Sequence, residues 1–237
     1  MAKKKTLLSW SSGKDSAWSL YLLRQNPEVE IVGLLTTVNE LHQRVAMHAV
    51  RLELLEAQAR AADLPLRRVN IPSPCSNEQY EASMRQVITE ATRQGIEQIA
   101  FGDLFLEDIR AYREAQLAGT GVSPIFPLWK APTADLARQM IWGGLRAVIT
   151  CVDPAQLGAE FVGREYDESL ITDLPEGIDA CGERGEFHTF AYDGPMFQDG
   201  IRVTVGDVVE RDGFVFADVR QHLTTTCNPT RDTAAFK

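Results

Sequence analysis

The chain has 237 residues, 44% hydrophobic and 24% charged, with 24 basic against 33 acidic residues and a net charge of −9. That length suits one or two domains with a core that needs no disulfide or metal staple, and the composition excludes a wholly disordered, collagen-like or fibrous chain. The acidic balance excludes the general positive field of a nonspecific nucleic-acid binder, and no apolar run reaches the ~18 residues of a transmembrane helix.

In chain order, Lys3, Lys4 and Lys5 read as a solvated arm. The short apolar run 6–10 reads as a strand, and 17–24 as a helix after the loop 11–16. The branched residues of 31–38 predict a buried strand. Val50, Leu54, Ala57 and Ala61 recur at three- and four-residue spacing, which predicts a helix over 47–62, ended before Pro65. A strand over 66–71 and a helix over 77–94, closed by Gly95, come next. A strand over 99–101 is closed by Gly102 and Asp103, then helices are predicted over 106–117 and 133–142 and a strand over 147–151. Strands alternating with helices imply βαβ units, a parallel sheet and helices on both faces. The last third differs. Residues 179–189 are rich in turn and polar types, and 201–209 and 214–219 read as a hairpin around Asp212 and Gly213. The tail 224–237 reads as frayed.

The first loop carries the sharpest signal: Ser11-Ser12-Gly13-Lys14-Asp15-Ser16 joins a strand to a helix. Such a loop aims backbone N–H groups and a positive helix end at an anion. Gly13 allows close approach, the serines add hydroxyls, and Lys14 adds a charge. It is not a Walker A loop, because Asp15 follows Lys14 where Ser or Thr is needed. A carboxylate beside phosphate implies an intervening Mg²⁺. The bland alternative is a capped helix start with Asp15 in its first turn. Elsewhere, Thr36 ends a strand, where a nucleotide could be touched; ordinary β-propensity explains it equally. His48 and Arg51, three apart on the predicted helix, form a possible cationic face. Gly102 and Asp103 end a strand where open sheets place ligands. Glu107 and Arg110 are one helical turn apart and could pair. Glu183, Glu186 and His188 form a dense polar cluster that could bind or deprotonate ammonium; a solvated loop is the alternative. Four cysteines, Cys75, Cys151, Cys181 and Cys227, include no C-x-x-C pair, so reduced thiols and a cytoplasmic setting are expected.

The loop resembles the PP-loop of the ATP pyrophosphatases, written S-G-G-x-D-S, with Ser12 in place of the first Gly. Met47-His48-Ala49-Val50-Arg51, the stretch from Gly102 to Arg110, Phe126-Pro127-Leu128-Trp129 and the stretch from Cys181 to Thr189 are similar to the diphthine–ammonia ligase family. The similarity runs in consistent order over 6–223. It implies an α/β, Rossmann-like adenine nucleotide α-hydrolase sheet with a smaller α+β C-terminal domain. The implied division is an ATP-binding domain over 1–135, an acceptor-binding domain over 136–223, and a tail over 224–237. The implied reaction adenylates an acceptor carboxylate, releases pyrophosphate, and lets ammonia displace AMP. The acceptor is a modified protein side chain, in eukaryotes and archaea the modified histidine of elongation factor 2, or a small metabolite. The cofactors implied are ATP and Mg²⁺.

Lys14, Asp15, Glu183 and Glu186 are then the expected catalytic set, with Asp15 on the metal. Ser11, Ser12, Gly13, Ser16, Thr36 and His48 are expected at ATP. Gly102, Asp103, Glu107, Arg110, Arg184 and His188 are expected at the acceptor. The family pattern Asp-Pro-Cys-Gly-Glu-Asn meets Asp179-Ala180-Cys181-Gly182-Glu183-Arg184 here, and the fixed charge of Arg184 in place of an amide could shift the acceptor toward an anionic one. The alternatives are a nucleotide sensor or scaffold without turnover, or another PP-loop adenylating enzyme. A homo-oligomer is left open.

Overall fold

The computed structural model describes residues 2–39, 44–45 (backbone only), 50–72 and 74–222. The first layer is an α/β sheet. Its parallel strands are β1 (Lys4–Ser9), β2 (Val29–Asn39), β4 (Leu66–Ile71), β5 (Gln98–Ala100) and β6 (Ser123–Ile125). They run in the order β4-β2-β1-β5-β6. A two-residue strand β3 (Arg44–Val45) pairs antiparallel with the far end of β2. The order reverses between β2 and β5 on either side of β1, which opens a crevice at the C-terminal ends of β1 and β5. This is the Rossmann-like arrangement that alternating strands and helices imply.

The central strands are buried on both faces, as parallel strands must be: Thr6, Leu7 and Leu8 of β1 are all fully enclosed. Around them lie α1 (Lys14–Gln25), α2 (Leu52–Ala61), α3 (Asn77–Arg93), α4 (Glu107–Leu117) and α5 (Thr133–Trp142). Helix α3 starts in a full capping box. Ser76 Oγ accepts from the Gln79 N–H at 3.2 Å, and Gln79 Oε1 accepts from the Ser76 N–H at 3.0 Å.

The second layer is an antiparallel sheet in the order β8-β7-β10-β9. Its strands are β7 (Arg146–Val152), β8 (Phe187–Asp193), β9 (Val203–Arg211) and β10 (Phe214–Gln221), with α6 (Glu168–Asp173) between β7 and β8. Asp212 and Gly213 turn the β9–β10 hairpin with φ of 53° and 82°, the left-handed pair that a tight two-residue hairpin needs. One apolar cluster runs through both layers, joining Leu8, Leu34 and Leu54 to Val148, Phe187 and Phe190.

Several expectations change. Lys4 and Lys5 belong to β1, although their side chains are exposed. Helix α2 begins at Leu52, because Arg51 is extended at φ −64° and ψ 144°; His48, Met47 and Ala49 lie outside the described residues. The polar stretch 179–189 ends inside β8, since Phe187, Thr189 and Phe190 pack inward. β6 and α6 are short and were not expected. The predicted tail 224–237 lies outside the described residues. Among the described residues, no helix is long and apolar enough to cross a membrane.

The two layers are stitched by one buried amide, Gln58 of α2. Its Oε1 accepts from Trp10 Nε1 at 2.9 Å, and its Nε2 donates to the Ser12 carbonyl at 2.9 Å and the Ala191 carbonyl at 2.6 Å. The Ala191 N–H of β8 also donates to Ser12 O at 3.0 Å. Gln58→Leu removes the acceptor for a buried indole N–H, which costs about 2–3 kcal/mol. Urea unfolding should show that loss with an unchanged slope; a change within about 0.5 kcal/mol would place Gln58 outside the critical contacts.

Candidate active site

The loop 11–16 leaves the C-terminal end of β1 and turns into α1. Ser12 holds the turn at φ 71°. This left-handed conformation favours glycine, and it falls at the position where the PP-loop pattern has its first Gly. Gly102, at the end of β5, faces the first turn of α1 so closely that a Cβ there would sit 3.2 Å from the Asp15 carbonyl carbon and the Ser16 nitrogen. A pocket of about 250 Å³ opens between the loop, the end of β5 and the segment 181–189 of the second layer. A larger groove of about 680 Å³ between α3 and α4 shares no lining residue with it.

Lys14 is 2% exposed. Its Nζ donates to Asp15 Oδ2 at 2.8 Å and to the Cys181 carbonyl oxygen. It also lies 5.5 Å from the centre of the Tyr166 ring and 5.4 Å from that of Phe187. Burial pulls the Lys14 ammonium down, but Asp15, followed by Cys181 and Glu183, outweighs it, so its pKa lies above the ordinary lysine value. Burial pushes the Asp15 carboxyl up; Lys14 offsets this in part, and Asp179 adds to the rise. The Lys14 backbone N–H donates to Thr189 Oγ1 at 3.1 Å, which ties the start of α1 to β8.

The pocket walls bring together Ser11, Lys14, Asp15, Ser16, Gly102, Asp103, Glu183 and His188. Glu183 Oε1 accepts the Leu104 N–H at 2.7 Å and the Phe105 N–H at 3.3 Å, so the second layer holds the loop after β5. Burial raises Glu183 to about 7, against which those backbone donors work. Burial, with Lys14 nearby, lowers His188 to about 4. Asp103 is raised by burial, with Arg113 opposing. Asp15 Oδ1 and Asp103 Oδ2 are buried without a hydrogen-bond partner.

Other expected residues are placed differently. Thr36 Oγ1 donates to the Trp10 carbonyl at 2.7 Å, and Thr36 does not line the pocket. Ser12 and Gly13 shape the loop from behind. Glu186 is 1% exposed, and both its oxygens are committed to backbone, Oε1 to the Asp179 N–H at 3.0 Å and Oε2 to the Arg184 N–H at 2.9 Å. It therefore builds the loop that carries Glu183. Glu107 and Arg110 do not pair with each other. Glu107 meets Lys130 at 3.3 Å, and Arg110 meets Glu114 at 2.7 Å while stacking on Phe126 and Trp129. The Arg184 guanidinium lies over the Phe105 ring at 5.4 Å. Arg51 leaves the expected helical face and forks onto Asp218 of β10 at 2.8 and 2.7 Å. His48 lies outside the described residues. Cys181 is raised to about 12 by burial, which makes it an inert packed thiol.

Sequence reasoning missed Arg113, Ser9, Phe101 and Phe187, which also line the pocket. Arg113 sits ten residues beyond Asp103 and inside α4; only the helical return of α4 toward β5 brings it to the site.

Fold and pocket together define a Rossmann-like α/β protein with a pocket at its switch point, walled by the loop 11–16. Residues 4–122 match the family model for the diphthamide synthase N-terminal domain, and residues 132–221 match that for the C-terminal domain. The chain belongs to the diphthamide synthase family. Among similar proteins, the diphthine–ammonia ligases of Bos taurus and Homo sapiens are each 27% identical over 237 residues, covering 88% of this chain and 86% of theirs. The diphthine–ammonia ligase of Danio rerio is 26% identical over 76% of this chain and 74% of its own.

The raised Glu183 and lowered His188 act oppositely on stability. Glu183 binds its proton more tightly when folded, so its contribution is full below about 4.5 and is lost as pH rises through about 7. The His188 contribution is present above about 6.5 and is lost as pH falls through about 4. Glu183→Gln should therefore gain stability relative to wild type on going from about pH 5 to about pH 7.5. Chemical denaturation at both values checks this, and an identical difference at the two would show that Glu183 ionises as an ordinary glutamate.

Proposed function

We propose that this protein is an ATP-dependent amide-forming ligase of the diphthine–ammonia type. On this reading it adenylates a carboxylate on a modified protein side chain and transfers ammonia to it. The observation that carries the reading is the buried Lys14–Asp15 pair at the start of α1, facing Glu183 across the crevice. The names and near-full coverage of the relatives support it.

The pocket is smaller than the roughly 300–1,000 Å³ of sites for whole drug-sized ligands. It suits the phosphate end of ATP, with the nucleoside outside it. The N-terminal end of α1 adds a positive end for phosphate oxygens, beside the Ser11 and Ser16 hydroxyls, which bond to each other at 3.2 Å while Ser16 Oγ donates to the Gly13 carbonyl at 3.0 Å. Asp15 Oδ1, buried without a hydrogen-bond partner, is of the oxygen type Mg²⁺ takes. When bound there, the ion would neutralise charge on the phosphate oxygens.

The acceptor carboxylate oxygen attacks the α-phosphorus, and the bond to the β-phosphate oxygen breaks. Lys14 holds its positive charge beside the departing pyrophosphate, a contribution that is large in a dry site. The product is an acyl-adenylate. A Glu183 carboxyl raised to about 7 is poised between forms near neutral pH, as a general base needs. It takes a proton from ammonium; ammonia attacks the acyl carbon, the carbon–oxygen bond to AMP breaks, and the attacking nitrogen loses its second proton to solvent, leaving the amide. His188, neutral at this pH, adds no competing charge. Arg184 and Phe105 stand beside the Glu183 loop, where the acceptor would approach.

The test is the fate of α-labelled ATP with Mg²⁺, ammonium and cell extract. AMP should form with wild type and extract. Lys14→Met should lower it by roughly a hundredfold or more. Because that variant leaves Asp15 buried and unpaired, the isosteric Asp15→Asn runs beside it, with thermal melts of both. ADP as the sole labelled product would overturn the reading, as would AMP release by Lys14→Met at the wild-type rate.

A further inference from the structure

The ligase reading leaves a charge problem in the pocket. Among the described lining residues, Asp15, Asp103 and Glu183 supply three carboxyl groups, and Lys14 and Arg113 supply the cations. His188 is held neutral near pH 7. Lys14 already donates to Asp15 and to the Cys181 carbonyl, two of its three N–H bonds. A polyphosphate entering against that wall would meet one committed ammonium and an excess of negative charge.

Arg113 is the group that can change this balance. Its guanidinium carbon lies over the Phe101 ring, 5.0 Å from the ring centre, beside the end of β5. Its Nε stands 3.8 Å from Asp103 Oδ2, an ion pair too long for a hydrogen bond, and both atoms are buried with no hydrogen-bond partner. The contrast with Arg51 is direct. That guanidinium closes a two-pronged fork on Asp218 at 2.8 and 2.7 Å, the geometry of a completed structural pair. Arg113 lies over an aromatic ring, near a carboxylate, and still has donor capacity at the pocket wall. A planar fork of donors matches phosphate oxygens well.

We propose that Arg113 is the second cation of the polyphosphate pocket, binding the β- and γ-phosphates of ATP and the pyrophosphate they become. This rests on the ATP-cleaving reading above. On that basis Arg113 is a catalytic residue that touches the leaving group, and Asp103 and Phe101 position it.

Calorimetric titration of wild type, Arg113→Met and Arg113→Lys with inorganic pyrophosphate, ATP and AMP, all with Mg²⁺, tests the proposal. Pyrophosphate affinity should fall about ten- to a hundredfold in Arg113→Met, with ATP following and AMP held within about threefold of wild type. Arg113→Lys keeps the charge and loses the fork, so it should fall between; it carries the test where the Met variant does not fold. Unchanged pyrophosphate affinity in a folded variant overturns the proposal. So does an equal loss for AMP and pyrophosphate, which would mark a merely structural role. A wild type that binds neither ATP nor pyrophosphate overturns the ligase reading itself, and this proposal with it.

Discussion

The buried Lys14 ammonium is the constraint on which the rest of the structure turns. A charge 2% exposed is tolerable only where partners replace water. Those partners come from two places. Asp15 is its neighbour in α1, whereas the Cys181 carbonyl and the Tyr166 and Phe187 rings come from the second layer. The loop therefore reaches its geometry only when both layers are packed. Its backbone is tied the same way, through Thr189 to Lys14 and through Gln58 and Ala191 to Ser12. The small antiparallel sheet is part of the pocket's wall and part of what shapes the loop. This explains how Ser12, a residue with a Cβ, is kept in a left-handed conformation: bonds from two elements converge on its carbonyl.

The same burial sets the electrostatics. Asp15, Asp103 and Glu183 are all raised by loss of water, and each also feels a neighbouring carboxylate: Asp179 acts on Asp15, Asp15 on Asp103, and both Asp15 and Asp103 on Glu183. A site whose acids are all pushed up is one in which negative charge is under-compensated. Cationic ligands relieve that condition directly, and a metal held with phosphate relieves it while adding the substrate. Perturbed groups converging in a crevice mark functional sites more often than plain structural ones. The larger groove between α3 and α4 has volume without this convergence.

Much of the fold was legible because its strands are buried and branched and its helices carry apolar spacing. The loop was legible because a phosphate-type turn needs small, hydroxylated residues between a strand and a helix. Gly102 and Asp103 followed from the rule that ligands gather at strand ends. The misses share a cause. β6 is three residues long and contains Pro124, α6 is six residues long, and β8 lacks a clean alternation because Thr189, Phe190 and Ala191 are buried in succession. Such elements are fixed by pairing with distant chain, which periodicity does not register. Arg113 and the Arg51–Asp218 fork are tertiary in the same sense.

Glu183 and Glu186 show the limit most sharply. They lie three residues apart in one loop, with the same side chain and an adjacent glycine each, and the sequence offers no reason to separate them. The structure separates them by where backbone donors point. Both oxygens of Glu186 meet N–H groups inside its own loop, from Asp179 and Arg184. Those two bonds use up the hydrogen-bonding capacity of the group. Glu183 shares one oxygen between two N–H groups of the facing layer, while desolvation dominates and raises it to about 7. Glu186 is therefore a fixed brace within its own loop, and that brace holds Glu183 at the crevice against the segment after β5.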